Sequence, residues 1–307
     1  MTAVYSAEAV HRALPWRPLV DALHASFVQG ATVPVRHAHA MSPSDTLLLM
    51  PAWDAQHLIT KLVTVIPGAP STVEATVMVM DRRTGHPLAV MDGEALTLRR
   101  TAATSALAAR HLCQPDVTRM LLVGTGRLAA WMARAHWALR PHLQQVLVWG
   151  RRADAAKALA STLASEGLPA QAVTDLEAAV GSSGLIACAT TATEPVVQGR
   201  WLVPGTHLDL VGGFQPTMRE VDDAAMARSR IIVDTHAGAG REAGELVQAL
   251  QAGVITPQSV VGELAQLLRG ECLGRQSPQD ITLFKSVGTA LEDLAAARLV
   301  LERAQKG

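Results

Sequence analysis

Met120-Leu121-Leu122-Val123 runs straight into Gly124-Thr125-Gly126-Arg127-Leu128-Ala129, and few folds accommodate that junction. Four apolar residues in succession suit a parallel strand buried on both faces. The glycines that follow allow a tight turn and a close backbone approach to a pyrophosphate. A helix N-terminus behind them supplies amide donors, and Ala129 lets helix and strand pack closely. Taken alone, G-x-G-x-x-A is a weak signal that an empty structural turn would also satisfy. Its context strengthens it, because a helix over residues 128–139, a strand over 145–149, a helix over 153–165 and a strand over 185–189 continue the pattern. Further strands are expected at 207–211, 231–234 and 281–284. Such alternation is the pattern of a doubly wound parallel sheet. The spacing therefore predicts a Rossmann unit holding a nicotinamide dinucleotide through Gly124, Thr125, Gly126, Arg127 and Leu128.

The strand over 145–149 ends at Trp149-Gly150, where a site built for NAD would place an acidic residue against the ribose 2′-hydroxyl. Arg151 and Arg152 follow instead, and the first carboxylate is Asp154. Paired guanidiniums suit a 2′-phosphate, so NADPH is the preferred cofactor, with NADH possible. A solvated loop is the alternative use of these arginines.

At 307 residues the chain exceeds the size at which a single core usually stops growing, so a second domain is expected. Its residues read as a helix over 18–28, closed by Gly30, and strands over 33–39, 46–50, 58–65, 73–80 and 88–91. Asp81-Arg82-Arg83-Thr84-Gly85 turns between the last two. An Ala-rich helix over 96–112 stops before Pro115, which marks the boundary with the Rossmann unit. The last helix, over 289–303, carries Leu291, Leu294, Ala297 and Leu301 on one stripe.

Apolar residues make up 49% of the chain and charged residues 18%, enough for two cores and a dry subunit interface. Lys plus Arg equals Asp plus Glu, 27 each, which removes the attraction that sequence-independent nucleic-acid binding needs. Small-molecule partners are expected. Cys113, Cys188 and Cys272 lie far apart and read as the reduced thiols of a cytoplasmic protein. His11, Arg12 and Asp21 interrupt the region a signal peptide would keep apolar, and no stretch approaches the ~18 apolar residues of a membrane span.

Two cations stand in unusually apolar surroundings. Lys61 lies within Leu58-Ile59-Thr60-Lys61-Leu62-Val63, and Arg100 lies in the Ala-rich helix. Such a cation is either a snorkelling or ion-paired group or part of a site converging on a small carboxylate. His37 and His39 can share one strand face, but no acidic or cysteine neighbour accompanies them, and no metal site is expected.

Met50-Pro51-Ala52, Thr60-Lys61-Leu62-Val63, Asp81 with Thr84-Gly85, Ala89-Val90-Met91-Asp92-Gly93, Leu96-Thr97 followed by Arg100-Thr101-Ala102-Ala103, and Phe284-Lys285-Ser286-Val287-Gly288 occur in a characteristic order. That order and spacing resembles the ornithine cyclodeaminase/mu-crystallin family, from about residue 30 to the C-terminus. The resemblance implies an α/β fold, a Rossmann doubly wound parallel sheet (117–285) inserted into an α+β substrate-binding and dimerisation domain (1–116 plus 286–307). It also implies a homodimer, and α-amino or α-imino acids as substrates. Arg36, Lys61 and Arg100 fall where the family holds the substrate carboxylate and assists proton transfer, Lys61 and Arg100 being the catalytic pair. Thr101 resembles a cofactor phosphate contact, and Thr190, Thr191, Val287 and Gly288 resemble neighbours of the nicotinamide half.

One departure bears on the chemistry. True cyclodeaminases resemble Gly-Gly-Asp-x-Pro-Gly-Lys after the fifth strand, where the Asp performs acid-base work. This chain reads Gly212-Gly213-Phe214-Gln215-Pro216-Thr217-Met218-Arg219-Glu220. Phe214 cannot transfer a proton. The loop is similar to that of the imine-reducing branch, the Δ1-pyrroline-2-carboxylate reductases, and Phe214 is expected to contact the substrate, core packing being the alternative. The expected reaction is NAD(P)H-dependent reduction of a cyclic α-imino acid, Δ1-pyrroline-2-carboxylate or Δ1-piperideine-2-carboxylate, to proline or pipecolate. Three other readings stand beside it: an alanine-dehydrogenase-like enzyme, an ornithine cyclodeaminase, which Phe214 disfavours, and a non-catalytic mu-crystallin-like binding protein.

Overall fold

Two sheets organise the chain, one mixed and one parallel throughout. The computed structural model describes residues 2–304. One unit ends at Thr104 and resumes at Gly288; the other is Ser105–Val287. The first opens with β1 (Ala3–Tyr5), α1 (Ala7–Ala13) and α2 (Trp16–Gln29). It continues through β2 (His37–Ala40), β3 (Thr46–Trp53), β4 (His57–Val65), β5 (Val73–Asp81) and β6 (Pro87–Asp92) into α3 (Gly93–Leu112). The C-terminal helix, Ala290–Ala304, also belongs to it. The strands lie in the order β1-β6-β5-β4-β3-β2, with β1 parallel to β6 and the rest antiparallel.

Strand alternation sorts the side chains of this sheet. Met50, Lys61, Val77 and Met91 form one cross-strand row, and Ala52, Ile59, Val79 and Ala89 the next. All of them are buried, and the C-terminal helix packs on β3 and β4 and against α2. The opposite face carries Leu62 and Met78, 39% and 38% exposed.

Most of these elements stand where periodicity predicts them. β1 and α1 are exceptions: β1 is three residues long and is held by parallel pairing with Ala89, Val90 and Met91, a partner no local pattern reveals. α2 starts at Trp16 rather than at residue 18, because Pro15 takes the N-cap and Pro18 still falls in the first turn, where no backbone donor is needed. β2 lies at His37–Ala40, later than the expected 33–39. The turn at Asp81 forms as expected, its carboxylate accepting the amides of Arg83 and Thr84 at 2.9 and 2.8 Å.

The second unit alternates strand and helix: β7 (Arg119–Val123), α4 (Arg127–Leu139), β8 (Gln145–Trp149), α5 (Ala153–Ser165), β9 (Ala170–Ala172), α6 (Leu176–Gly181) and β10 (Leu185–Cys188). Then follow β11 (His207–Leu210), α7 (Asp223–Arg228), β12 (Ser229–Val233), α8 (His236–Glu242), α9 (Gly244–Gln251), β13 (Val260–Glu263), α10 (Leu264–Leu268) and β14 (Ile281–Lys285). The eight strands are parallel, in the order β13-β12-β14-β11-β10-β7-β8-β9. From β7 the chain builds outward through β8 and β9, then returns to place β10 on the other side of β7. That reversal leaves a crevice between the C-terminal ends of β7 and β10, the usual place for a ligand in such sheets. The core below it includes Leu121, Val123, Ile186, Leu208, Leu210 and Leu283.

The units divide inside α3, between Thr104 and Ser105, and between Val287 and Gly288, where the sequence places the divisions after 116 and 285. α3 is continuous across the division. Its second half is tied into the parallel-sheet unit: Arg140 donates to Ala109 O, and Thr282 Oγ1 and Arg275 Nε donate to Leu112 O at 2.9 and 2.8 Å. Pro115 thus follows the end of the helix without marking the division.

Candidate functional site

A cleft of about 540 Å³ lies at the crevice in the parallel sheet, lined by Gly124, Thr125 and Gly126 after β7, Arg151 and Arg152 after β8, and Thr190 and Thr191 after β10. Gly124 has φ 121°, and a Cβ there would stand 2.5 Å from Ala189 O. No other residue type fits that crossing. Gly126 is the N-cap of α4 and supplies no side-chain cap, which leaves first-turn amides for a ligand; a Cβ there would meet nothing within 4 Å. Arg127 and Leu128 form the first turn of α4, beside the lining. These features fit a dinucleotide pyrophosphate. Arg151 and Arg152 are exposed, and no carboxylate ends β8.

The first unit gathers a second constellation. Lys61 points from β4 into the buried face, where its Nζ lies 2.8 Å from Asp293 Oδ2, 3.0 Å from Oδ1, and 3.4 Å from Thr97 Oγ1. Arg100 comes from α3: its Nε donates to Asp293 Oδ1 at 3.0 Å and its Nη1 to Glu292 Oε2 at 2.6 Å. Lys61 and Arg100 are 2% and 4% exposed, and both carboxylates are fully buried. Arg36 donates to Gly288 O, and Gly288 lies so close to Arg100 that a Cβ would stand 2.6 Å from Nη1. The three sequence-predicted cations thus converge, and Lys61 and Arg100 are held in ion pairs. Thr101 is buried next to Arg100.

Burial pulls the Lys61 ammonium down to about 8; Asp293 resists, and the charges of Arg100 and Arg36 add to the fall. Burial opposes the charge on Arg100 too, but Asp293 and Glu292 outweigh it and hold the guanidinium firmly protonated. For Asp293, burial is outweighed by Lys61 and Arg100, and the carboxyl stays below its ordinary range. The cluster therefore presents fixed guanidinium charge beside one amine that can give up a proton near neutrality, the composition needed to hold an anionic substrate and protonate it.

In the second unit Val287 donates its amide to Asp234 Oδ2 at 2.8 Å. Phe214 is 42% exposed, in the loop after β11. Sequence reasoning missed the carboxylates: Glu292 and Asp293, which neutralise the cations, and Glu220, which accepts from Thr190. A signal for the first two was present. Adjacent acids in an otherwise apolar helix, in a chain with a lysine and an arginine in apolar stretches, point to buried pairing.

An all-parallel sheet with a glycine loop at its crevice, carried as an insertion within an α+β unit, defines a dinucleotide-binding protein of the Rossmann type. The profile of the ornithine cyclodeaminase/mu-crystallin family matches residues 1–307, and the chain belongs to that family. It is 38% identical over 295 residues to the Δ1-pyrroline-2-carboxylate reductase of Paracoccus denitrificans, covering 94% of this chain and 92% of that one. Among solved structures it resembles the Δ1-pyrroline-2-carboxylate reductase of Thermococcus litoralis in complex with NADH and L-proline, with a TM-score of 0.94 and 30% identity over 99% of this chain and 98% of that one. An archaeal alanine dehydrogenase dimer with bound NAD follows at 0.93 and 28%, over 99% and 96%.

Proposed function

We propose that this protein reduces a cyclic α-imino acid, Δ1-pyrroline-2-carboxylate or Δ1-piperideine-2-carboxylate, to proline or pipecolate, using NADPH in preference to NADH. When bound, the reduced nicotinamide supplies a hydride to C2 of the C=N bond, whose π electrons pass to nitrogen. The observation that carries this reading is Lys61: a buried amine drawn down to about 8, beside guanidiniums that suit a substrate carboxylate. Only a protonated imine accepts hydride readily, and Lys61 donates or relays that proton to the imine nitrogen. Arg36 and Arg100 hold the carboxylate, each charge-assisted bond contributing ~1.5–3 kcal/mol. Phe214 offers an apolar surface and no competing proton transfer, which disfavours deamination of ornithine. The Paracoccus and Thermococcus relatives, both Δ1-pyrroline-2-carboxylate reductases, support the reaction class. Arg151 and Arg152 support the NADPH preference, although the Thermococcus complex contains NADH.

The test follows loss of reduced-cofactor absorbance, with NADPH and separately NADH, in the presence of Δ1-pyrroline-2-carboxylate and no ammonia. Rapid oxidation, faster with NADPH, is the expected result. No turnover with either imine refutes the assignment. The likeness to alanine dehydrogenase favours one second reading, reductive amination of pyruvate, which requires ammonia.

A homodimer in the cytoplasm completes the reading. Leu49, Leu62, Met78 and Val90 lie on the sheet face opposite Lys61 and leave an apolar surface for a second copy of the chain, and the similar alanine dehydrogenase is a dimer. Free Cys113, Cys188 and Cys272 suit a reducing compartment, and no helix among the described residues is long and apolar enough to cross a membrane.

A further inference from the structure

We infer that Glu220 is a positioning residue for the dinucleotide cleft: one buried carboxylate ties the wall formed after β10 to the start of the loop that carries Phe214. Glu220 is fully buried. Its Oε1 accepts the amide and the hydroxyl of Thr190 at 2.7 and 2.9 Å, and its Oε2 accepts the amide of Gly212 at 2.7 Å. Thr190 lines the cleft beside Gly124. Gly212 opens the loop over 212–220, so the carboxylate at the loop's end folds it back onto its own beginning. Backbone bonds lace the same segments together: Arg219 N to Ala192 O at 2.7 Å, and Val196 N and Val197 N to Glu220 O at 2.9 and 3.0 Å.

The geometry favours the ionised form. The amides of Thr190 and Gly212 can only donate, so a protonated carboxyl can place its O–H only against the Thr190 hydroxyl and accepts the two amides less strongly than the carboxylate does. The ionisable groups around Glu220 are Glu245 on α9, Lys285 on β14 and the thiol of Cys188 on β10, which also senses Asp209 on β11. Glu245 Oε1 accepts the amide of Glu220 at 3.1 Å, and its Oε2 lies 3.1 Å from Lys285 Nζ. Burial pushes the Glu220 carboxyl up to about 7; Lys285 and the amides of Thr190 and Gly212 resist, and the charge of Glu245 adds to the rise. The cleft wall is therefore pinned above about 7 and loosened below it.

The inference rests on the Gly124 cleft being the dinucleotide site, and it does not need the imino acid. The test is titration of NADPH, by quenching of protein fluorescence, across the pH range on either side of 7. Wild-type affinity falls as pH drops through about 7. In Glu220→Gln an amide donor replaces one acceptor, so affinity falls about tenfold or more and loses this pH dependence, with the thermal midpoint measured in parallel. Glu245→Gln removes the neighbouring charge, so the inflection moves to lower pH while affinity on the alkaline side is kept. A flat wild-type profile overturns the inference. So does a folded Glu220→Gln that binds as wild type or keeps the inflection. If Glu220→Gln does not fold, an unmoved inflection in Glu245→Gln overturns it as well. Loss of imine reduction with these binding profiles intact would sink the proposed reaction and leave the inference standing.

Discussion

Lys61 sits in a row with Met50, Val77 and Met91 and still carries a charge, because Asp293 is there to meet it. If Lys61 delivers the imine proton, its protonated form is the active one. Its folded pKa lies below the ordinary 10.5, so kcat/KM holds below about 8 and declines as pH rises through it. Asp293→Asn withdraws a charge that supports the ammonium and moves that decline to lower pH. Lys61→Met lowers kcat/KM about a thousandfold and removes this limb of the pH–rate profile, which stopped-flow or steady-state rates check directly. Arg151→Ala with Arg152→Ala lowers kcat/KM for NADPH by roughly tenfold or more while leaving NADH nearly unaffected. An equal loss with both cofactors would show that the arginines read something other than a 2′-phosphate. The glycines and arginines of the cleft were legible because they follow one another in the chain, as were Lys61 and Arg100, because charge within an apolar run is visible. Their partners Glu292 and Asp293 were legible only as adjacent acids in an apolar helix; which cations they meet was not, since that depends on a helix nearly two hundred residues downstream of Arg100 packing on a strand it does not adjoin in sequence.

Among the elements, the β7–loop–α4 unit shows how little tolerance the cleft has. Gly124→Ala forces a Cβ against Ala189 O and an L-residue into positive φ. The expected result is loss of measurable dinucleotide binding by calorimetry, together with a lowered thermal midpoint, about 1–2 kcal/mol coming from the backbone conformation alone. The strands and long helices of the parallel sheet were readable from alternation, since each is an apolar run of ordinary length between turn residues. The short pieces were not: β1, β9 and β13 have three or four residues each and exist through pairing with β6, β8 and β12. The stripe through Leu291, Leu294 and Ala297 predicts an amphipathic C-terminal helix, yet it is buried from Ala290 to Ala297, with α1 and α2 against it as well as the sheet. A stripe in sequence marks one buried face; a second is invisible when alanines line it.

For the whole molecule, the proposed dimer rests on the apolar sheet face. Leu62→Glu with Met78→Lys places charges there without disturbing the buried row, and sedimentation should then show a monomer where the wild type sediments as a dimer. An unchanged sedimentation coefficient would move the subunit contact elsewhere. The connectivity has a further consequence. The parallel sheet is one continuous stretch, whereas the mixed sheet draws its covering helix, Ala290–Ala304, from beyond that stretch. As the polypeptide leaves the ribosome, Lys61 and Arg100 emerge long before Glu292 and Asp293 have been synthesised. Domains that emerge complete can fold during translation. The inserted unit meets that condition, but the mixed-sheet unit cannot bury its two cations until the helix Ala290–Ala304 arrives. The inserted unit can thus settle before the mixed sheet that precedes it in synthesis.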